Sequence, residues 1–315
     1  MNLVILSHRY AYPPDRGDRL TLFNFLRVVV PRHQVRLLSV CQRPPAPDSV
    51  AAVRALGVEA RAFPLARATS LWQSGLALAG RGSLQVAYFR SPALLQAVRE
   101  VDSLGPADCV IAHAVRMVAP ARALRARRRI FMAQDCLSLA LRRSAGWARW
   151  PMSAVLREEA TRMARAETEA ADWADEVWLV SEADAQHFPT PHRGKLRVVR
   201  HGIAADSDPA ARWMPDGQTL LFVGRMDVRH NVEAARRLCE RVLPRVRRAV
   251  PGARARVVGS SPAPAVRRLA RLPGVEVAGS VARVQDAYAT ATVLVAPLTF
   301  ATGIQNKILE AAAAG

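Results

Sequence analysis

Two doubly wound α/β domains, each a parallel sheet with helices on both faces, are what this chain predicts. Three observations carry that prediction. Short apolar, β-rich runs alternate with longer helical patterns. The same rhythm starts again after residue 217. And 315 residues are too many for one ordinary domain but suit two. Half of the residues are apolar, enough to bury a sizeable core in each.

The first domain is read as residues 1–200. It opens on a strand over 3–7; the run is too short, and lacks the basic leader, for a signal peptide. Further strands are expected over 35–40, 58–63, 109–112, 130–133, 176–180 and 196–199. Helices are expected between them over 20–29, 92–101 and 152–171. The last carries Glu158, Glu159, Arg162, Arg165, Glu167 and Glu169, read as a charged face standing in solvent. Residues 201–217 are polar and are read as a linker.

The second domain, 218–315, should run strand 219–223, loop 224–230, helix 232–249, strand 254–258 and helix 264–270. Strand 275–278, helix 284–289, strand 293–296 and a helix starting near Gly303 complete it. Doubly wound domains carry about five or six strands, and four are foreseen here. The expectation is therefore a second domain that stops before it is complete, leaving residues 1–315 without activity and prone to aggregate.

The formal net charge is +19, yet of 45 basic residues only Lys195 and Lys307 are lysines. So one-sided a choice, in so alanine-rich a chain, points to coding bias. The arginines are spread over nearly every helix, without an aromatic-interleaved basic stripe or helix-turn-helix or zinc-finger spacing, so no nucleic-acid partner is expected. An anionic membrane surface suits the charge. Leu141 to Trp150, which mixes arginines with Trp147 and Trp150, is the docking candidate; a loop whose tryptophans pack beneath the next helix is the alternative. No apolar run approaches the ~18–20 residues of a membrane span. Cys41, Cys109, Cys136 and Cys239 lie far apart, without zinc spacing, and are read as buried reduced thiols of a cytoplasmic protein.

Five segments, in order, resemble retaining GT-B glycosyltransferases of family 4, and more narrowly the bacterial exopolysaccharide sugar transferases. They are Tyr12-Pro13-Pro14-Asp15-Arg16-Gly17-Asp18, Val180-Ser181-Glu182-Ala183, His201-Gly202-Ile203, Gly224-Arg225-Met226-Asp227 with His230-Asn231, and Ala296-Pro297-Leu298 through Thr302-Gly303-Ile304-Gln305-Asn306-Lys307-Ile308-Leu309-Glu310-Ala311. The resemblance spans essentially the whole chain. It implies two Rossmann-like domains and transfer of a sugar, of hexosyl type, from a nucleotide-diphosphate donor with retention at the anomeric carbon. A glycan or lipid-linked acceptor is implied, with no cofactor beyond the sugar nucleotide. No metal is expected, since a metal-dependent transferase of this kind carries an acidic motif such as D-x-D.

The resemblance also implies site residues. Glu310 matches the second glutamate of an E-x(7)-E motif, which accepts hydrogen bonds from the donor ribose; where the family has its first glutamate, this chain has Thr302. Sugar identity therefore does not carry over. Arg225 is implied as the cation on the diphosphate, and the family's lysine five residues on is replaced by His230. Lys307 is the substitute candidate, a compact ammonium on a phosphate-facing helix; chance placement of one of two lysines is the other reading. Thr302, Gly303 and Ile304 offer free backbone N–H groups and a helix dipole to a diphosphate. An ordinary capped helix start fits the same residues. Gly17 and Asp18 match a glycine-bearing loop near the donor phosphates, although a surface turn fits too. His113 and Asp135, at carboxyl ends of strands, are acceptor-side candidates; for His113 a packed core histidine is the competing reading. No catalytic base stands out. A sugar-nucleotide-binding or scaffolding homologue without catalysis remains the alternative, and a dinucleotide enzyme lacks its G-x-G-x-x-G.

Overall fold

The computed structural model describes residues 1–14, 17–80, 82–200, 202, 213–299 and 305–314. The chain divides into two compact units, the first ending at Gly202 and the second holding the described residues from Trp213 onward. Eleven strands and fourteen α-helices are described in chain order. In the first unit these are β1 (Asn2–Ser7), α1 (Gly17–Val29), β2 (Gln34–Cys41), α2 (Pro47–Ala55), β3 (Glu59–Pro64), α3 (Arg67–Ala79), α4 (Leu84–Tyr88), α5 (Pro92–Ser103), β4 (Ala107–His113), α6 (Val118–Ala121), β5 (Ala126–Gln134), α7 (Leu137–Trp147), α8 (Met152–Trp173), β6 (Glu176–Leu179), α9 (Glu182–His187) and β7 (Leu196–Val198). In the second they are β8 (Thr219–Val223), α10 (Arg229–Arg237), α11 (Leu243–Val246), β9 (Arg254–Val258), α12 (Pro264–Leu269), β10 (Val275–Gly279), α13 (Val284–Thr290), β11 (Val293–Leu294) and α14 (Asn306–Ala314).

Seven strands of the first unit form one sheet in the order β3-β2-β1-β4-β5-β6-β7, parallel throughout. Successive residues of a strand point to opposite faces, and β1 shows how both faces become core. Leu3 and Ile5 pack with Val35, Leu37, Ile111, Leu22 and Leu26 on one side. Val4 and Leu6 pack with Leu38, Val40, Val110, Phe131 and Met163 on the other. That is why these strands read as unbroken apolar runs. The second sheet, β10-β9-β8-β11, is also parallel, with Leu220 and Phe222 facing one core and Leu221 and Val223 the other. Both units are thus Rossmann-like, as the alternation predicts. All four cysteines are buried and unpaired.

Several local expectations need correction. The helix foreseen over 232–249 begins three residues earlier and is broken into α10, a π-helical turn (Leu238–Val242) and α11. Pro244 explains the break: it has no N–H to donate, and its ring crowds the carbonyl four residues back, inside the π turn. The strand foreseen over 293–296 is ordered as a strand only at Val293–Leu294. The loop expected to carry Gly17 and Asp18 is instead the first turn of α1. The charged face of α8 is solvated only in part: Glu158, Arg165 and Glu169 are exposed and Arg162 is half-buried, but Glu159 and Glu167 are buried. The 141–150 segment is not the loop with packed tryptophans given as the alternative to docking. Its first part is α7, with Leu141 and Ala145 buried, whereas Trp147 and Trp150 are exposed.

Residues 213–217, within the segment read as a linker, are hydrogen-bonded into the second unit. Asp216 accepts from the Gln218 and Thr219 amides, the Thr219 and Thr292 hydroxyls and Arg254. Burial opposes ionisation there, yet these donors hold its carboxyl well below the usual range.

Candidate active site

In the first sheet, the connection from β1 runs to β2 on one side, while β4 enters on the other. The carboxyl ends of β1 and β4 therefore flank a topological switch point, where doubly wound sheets open a ligand crevice. His8 follows β1, His113 ends β4, Gln134 ends β5 and Asp135 follows it. Asp18 comes from the first turn of α1, where the helix dipole favours a carboxylate.

These groups are tied together. Asp18 Oδ2 is 3.1 Å from His8 Nε2 and 3.3 Å from Arg9 Nη1. Burial opposes its ionisation, but His8 and Arg9 hold it far below the ordinary carboxylate range. Burial pushes His8 down, against the pull of Asp18. Because burial disfavours charge on His8, Arg9 is the dependable cation beside Asp18. His113 is fully buried. Gln134 Nε2 lies 2.8 Å from its Nε2, and its Nδ1 lies 3.0 Å from Ser7 Oγ, which donates to the Arg9 carbonyl at 2.8 Å. An amide nitrogen can only donate, so one tautomer fits the chain: neutral, with the proton on Nδ1. The packed-histidine reading thus describes its surroundings, while its position remains at the crevice.

Two residues at these strand ends have left-handed backbone, Ala114 at φ 72° and Gln134 at φ 66°. Neither is glycine, and such conformations cost roughly 1–3 kcal/mol, a concentration of strain typical of ligand sites. Arg116 is also here, stacked 5.0 Å over the Phe89 ring and bonded to Gln85 Oε1. Burial and then Arg9 lower it to about 10, so it stays cationic at neutral pH. Asp135 is half-buried; desolvation, then the charges of Asp184, Asp18 and Glu167, push it up to about 7.

The second unit has its own cluster at the carboxyl end of β8. Gly224 and Gly259 meet backbone to backbone: Gly259 has φ +151°, and a Cβ there would lie 1.7 Å from the Gly224 carbonyl oxygen. Hydrogen bonds from Gly224 N to Val258 O and from Met226 N to Ser260 O stitch the loops after β8 and β9 together. Arg225 leaves this junction paired with Asp227. Asn231 joins the rest: its Nδ2 donates to the Arg225 carbonyl at 2.9 Å, and its Oδ1 accepts from Lys307 Nζ at 2.8 Å.

Lys307 lies in the first turn of α14, 8% exposed, with Nζ 4.5 Å above the Phe222 ring. Burial lowers it to about 8, resisted by Glu310 one turn on. His230 is lowered by burial and then by Lys307. Glu310 accepts a 2.8 Å bond from Tyr288, whose hydroxyl is pushed up by burial and then by the Glu310 charge.

Of the residues singled out from sequence, Arg225, Lys307 and Glu310 thus gather in the second unit, and Asp18, His113 and Asp135 in the first, where Gly17 adjoins Asp18. Thr302, Gly303 and Ile304, like His201 and Ile203, lie outside the described residues. One D-x-D triplet, Asp206-Ser207-Asp208, is in fact present in the linker, also outside them, so the expectation of no metal loses its ground in sequence. His8, Arg9 and Arg116 were missed. In a chain so rich in arginine nothing marks Arg9 or Arg116, although both stand just past the carboxyl end of a strand.

Two doubly wound parallel-sheet units in one chain define the GT-B class of fold. Residues 217–315 match the family of glycosyl transferases group 1. No curated protein matches the chain. Among solved structures, the whole chain is similar to Anabaena Alr3699/HepE in complex with UDP and glucose, at 14% identity and TM-score 0.62, covering 99% of this chain and 78% of that one. It is similar to an α,α-trehalose-phosphate synthase (UDP-forming) from Burkholderia vietnamiensis at 11% identity and TM-score 0.59, covering 100% and 82%. CalG4, the calicheamicin glycosyltransferase, is matched at 15% identity and TM-score 0.50, covering 93% and 74%. At such identities the likeness shows the fold.

Proposed function

We propose that the chain transfers a sugar of hexosyl type from a nucleotide-diphosphate donor to a glycan or lipid-linked acceptor, with retention at the anomeric carbon. The group 1 match over 217–315 supports the reaction class. The observation that carries the site is Lys307: a buried ammonium in the first turn of a helix, against the dipole, beside Arg225 and Glu310. A cation held where burial and dipole both disfavour it marks a place suited to an anion.

In this reading Arg225 and Lys307 stabilise the diphosphate as the bond from the anomeric carbon to the phosphate oxygen breaks. Glu310 holds the ribose hydroxyls. The acceptor oxygen bonds to the anomeric carbon on the same face, and its proton passes to the departing phosphate oxygen. We assign the diphosphate to Arg225 and Lys307 rather than to a metal. In the first unit, Gly17 and Asp18 line the donor side, and His113 and Asp135 the acceptor side. The family-4 and exopolysaccharide assignments, and a place at the inner face of a membrane, belong to the same proposal.

UDP is the first nucleotide to test, because Alr3699/HepE was crystallised with UDP and glucose. Calorimetry with UDP and product analysis with UDP-glucose decide. Binding with transfer and a retained anomeric configuration supports the proposal; an inverted product sinks retention. The second reading, a sugar-nucleotide-binding homologue without catalysis, is favoured by Thr302 in place of the first motif glutamate. Binding without either transfer or donor hydrolysis would establish that reading instead.

A further inference from the structure

Asn231 is a neutral side chain set among charged ones. It lies in the first turn of α10, 6% exposed, and its amide makes two unlike contacts. Nδ2 donates to the Arg225 carbonyl at 2.9 Å, and Oδ1 accepts from Lys307 Nζ at 2.8 Å. A carbonyl only accepts and an ammonium only donates, so the amide fits one way round. Gly224 confines it there: a Cβ on that residue would come within 2.9 Å of Nδ2 and 3.1 Å of Oδ1, so the amide lies on bare backbone. Through this side chain the loop that carries Arg225 and the helix that carries Lys307 are held at a fixed spacing.

The chemistry of that tether is informative. A buried ammonium is ordinarily paired with a carboxylate. Here the groups that hold Lys307 are an amide and, 4.5 Å from Nζ, the Phe222 ring, both uncharged. The acids nearby are bonded elsewhere: Asp227 pairs with Arg225, and Glu310 accepts from the Tyr288 hydroxyl. His230, lowered by burial and then by Lys307, brings no negative charge. An aspartate at 231 would match asparagine in shape and grip Nζ more firmly. It would also neutralise the ammonium, place a negative charge where a phosphate has to come, and turn its second oxygen on the Arg225 carbonyl. A leucine of similar size would leave both groups without that partner. Asparagine orients the ammonium and leaves its charge for a ligand.

We infer that Asn231 is a positioning residue of the second unit's anion site, one that spaces Lys307 from Arg225 and keeps the charge of the lysine uncompensated for a diphosphate. The inference rests on the donor site proposed above and adds to it the side chain that sets its spacing and net charge.

Carbon-13 labelling of lysine Cε tests it directly, because the only lysines are Lys195 and Lys307, and Lys307→Met assigns the two resonances. In the unaltered chain Lys307 should titrate at about 8. Asn231→Asp should raise that value and Asn231→Leu should lower it further, since the first adds a compensating charge and the second removes an acceptor. Asn231→Asp should also weaken UDP at neutral pH by about tenfold or more, measured by calorimetry. Circular dichroism checks that each variant folds; if Asn231→Leu does not, Asn231→Asp carries the test with the unaltered chain. An ordinary titration of Lys307 in the unaltered chain overturns the inference before any variant is made. A merely structural role would let water into the corner and raise Lys307 in both variants alike. That result, or no shift in Asn231→Asp, also overturns it. So does unchanged UDP affinity in Asn231→Asp, which leaves the donor site itself standing. A chain that binds pyrophosphate but not UDP, and binds it more weakly with Asn231→Asp, keeps this inference and sinks the nucleotide reading.

Discussion

Lys307 stands where a lysine is electrostatically worst placed, in the first turn of a helix and out of water, and its titration should report what it is there for. Its folded value of about 8 lies below the ordinary 10.5. Between those values the unfolded chain binds a proton that the folded chain lacks, so stability rises with pH across that window; below about 8 the cost of the buried charge is carried in full. A diphosphate beside Nζ reverses the preference. Binding of UDP near pH ~8.5 should therefore take up a proton, read by calorimetry in two buffers of different ionisation enthalpy, and Lys307→Met should abolish the uptake. Kinetics give the second check. Arg225→Ala should lower turnover by roughly two to three orders of magnitude, the scale of losing a preorganised charge-stabilising group, and Lys307→Ala by less. Glu310→Ala should act mainly on nucleotide affinity, by about 1–3 kcal/mol, because ribose hydroxyls gain no charge in the reaction. Intact turnover in Arg225→Ala together with intact affinity in Glu310→Ala would remove the donor site from β8 and α14. These three residues were legible because a motif carried them. His8 and Arg116 were not, since their role depends on strands that lie about a hundred residues apart in sequence and side by side in the sheet.

At the scale of elements, α8 shows best what periodicity conceals. Its charged residues look like a solvated face, but helix spacing puts Glu159 and Glu167 two turns apart on one side, which is turned inward. Each reaches the start of another helix. Glu159 accepts from the Ser83 hydroxyl at 2.6 Å and from the Leu84 and Gln85 amides at 3.0 and 3.1 Å, capping α4. Glu167 accepts from the Leu137 and Ser138 amides, capping α7. Arg162, between them, closes the end of α3. No local signal reveals a cap supplied from 75 residues away; only the folded pairing does. Glu159→Ala should strand one buried and two half-buried donors and cost about 3 kcal/mol in urea unfolding, with Glu159→Gln recovering part of it. A loss under about 0.5 kcal/mol would mean water replaces the carboxylate. Strands of the sheets were legible because both faces are buried and the runs stay apolar. Helix ends were less so: Pro244 breaks a helix whose pattern runs on through it.

Across the whole molecule, two separate sets of cores mean that a ligand's location can be read without knowing its pose. Hydrogen exchange with UDP should slow first at the amides of 224–231 and 305–310, with little change at α3 or α7. Protection confined to the first unit would contradict the donor assignment. Fold class was the most legible property of all, since it rests on a rhythm repeated along 315 residues. Net charge was the least informative, since the arginines are spread over nearly every helix.

The contact between Gly224 and Gly259 has a practical bearing on redesign. With one backbone pressed on the other, the loops after β8 and β9 form a single rigid corner, and Arg225 is mounted on it. Lengthening the β9 loop, or putting any side chain at 259, would swing the arginine without touching it. Anyone exchanging donor preference between related enzymes should graft both loops together, because either one alone arrives without the surface that sets its angle.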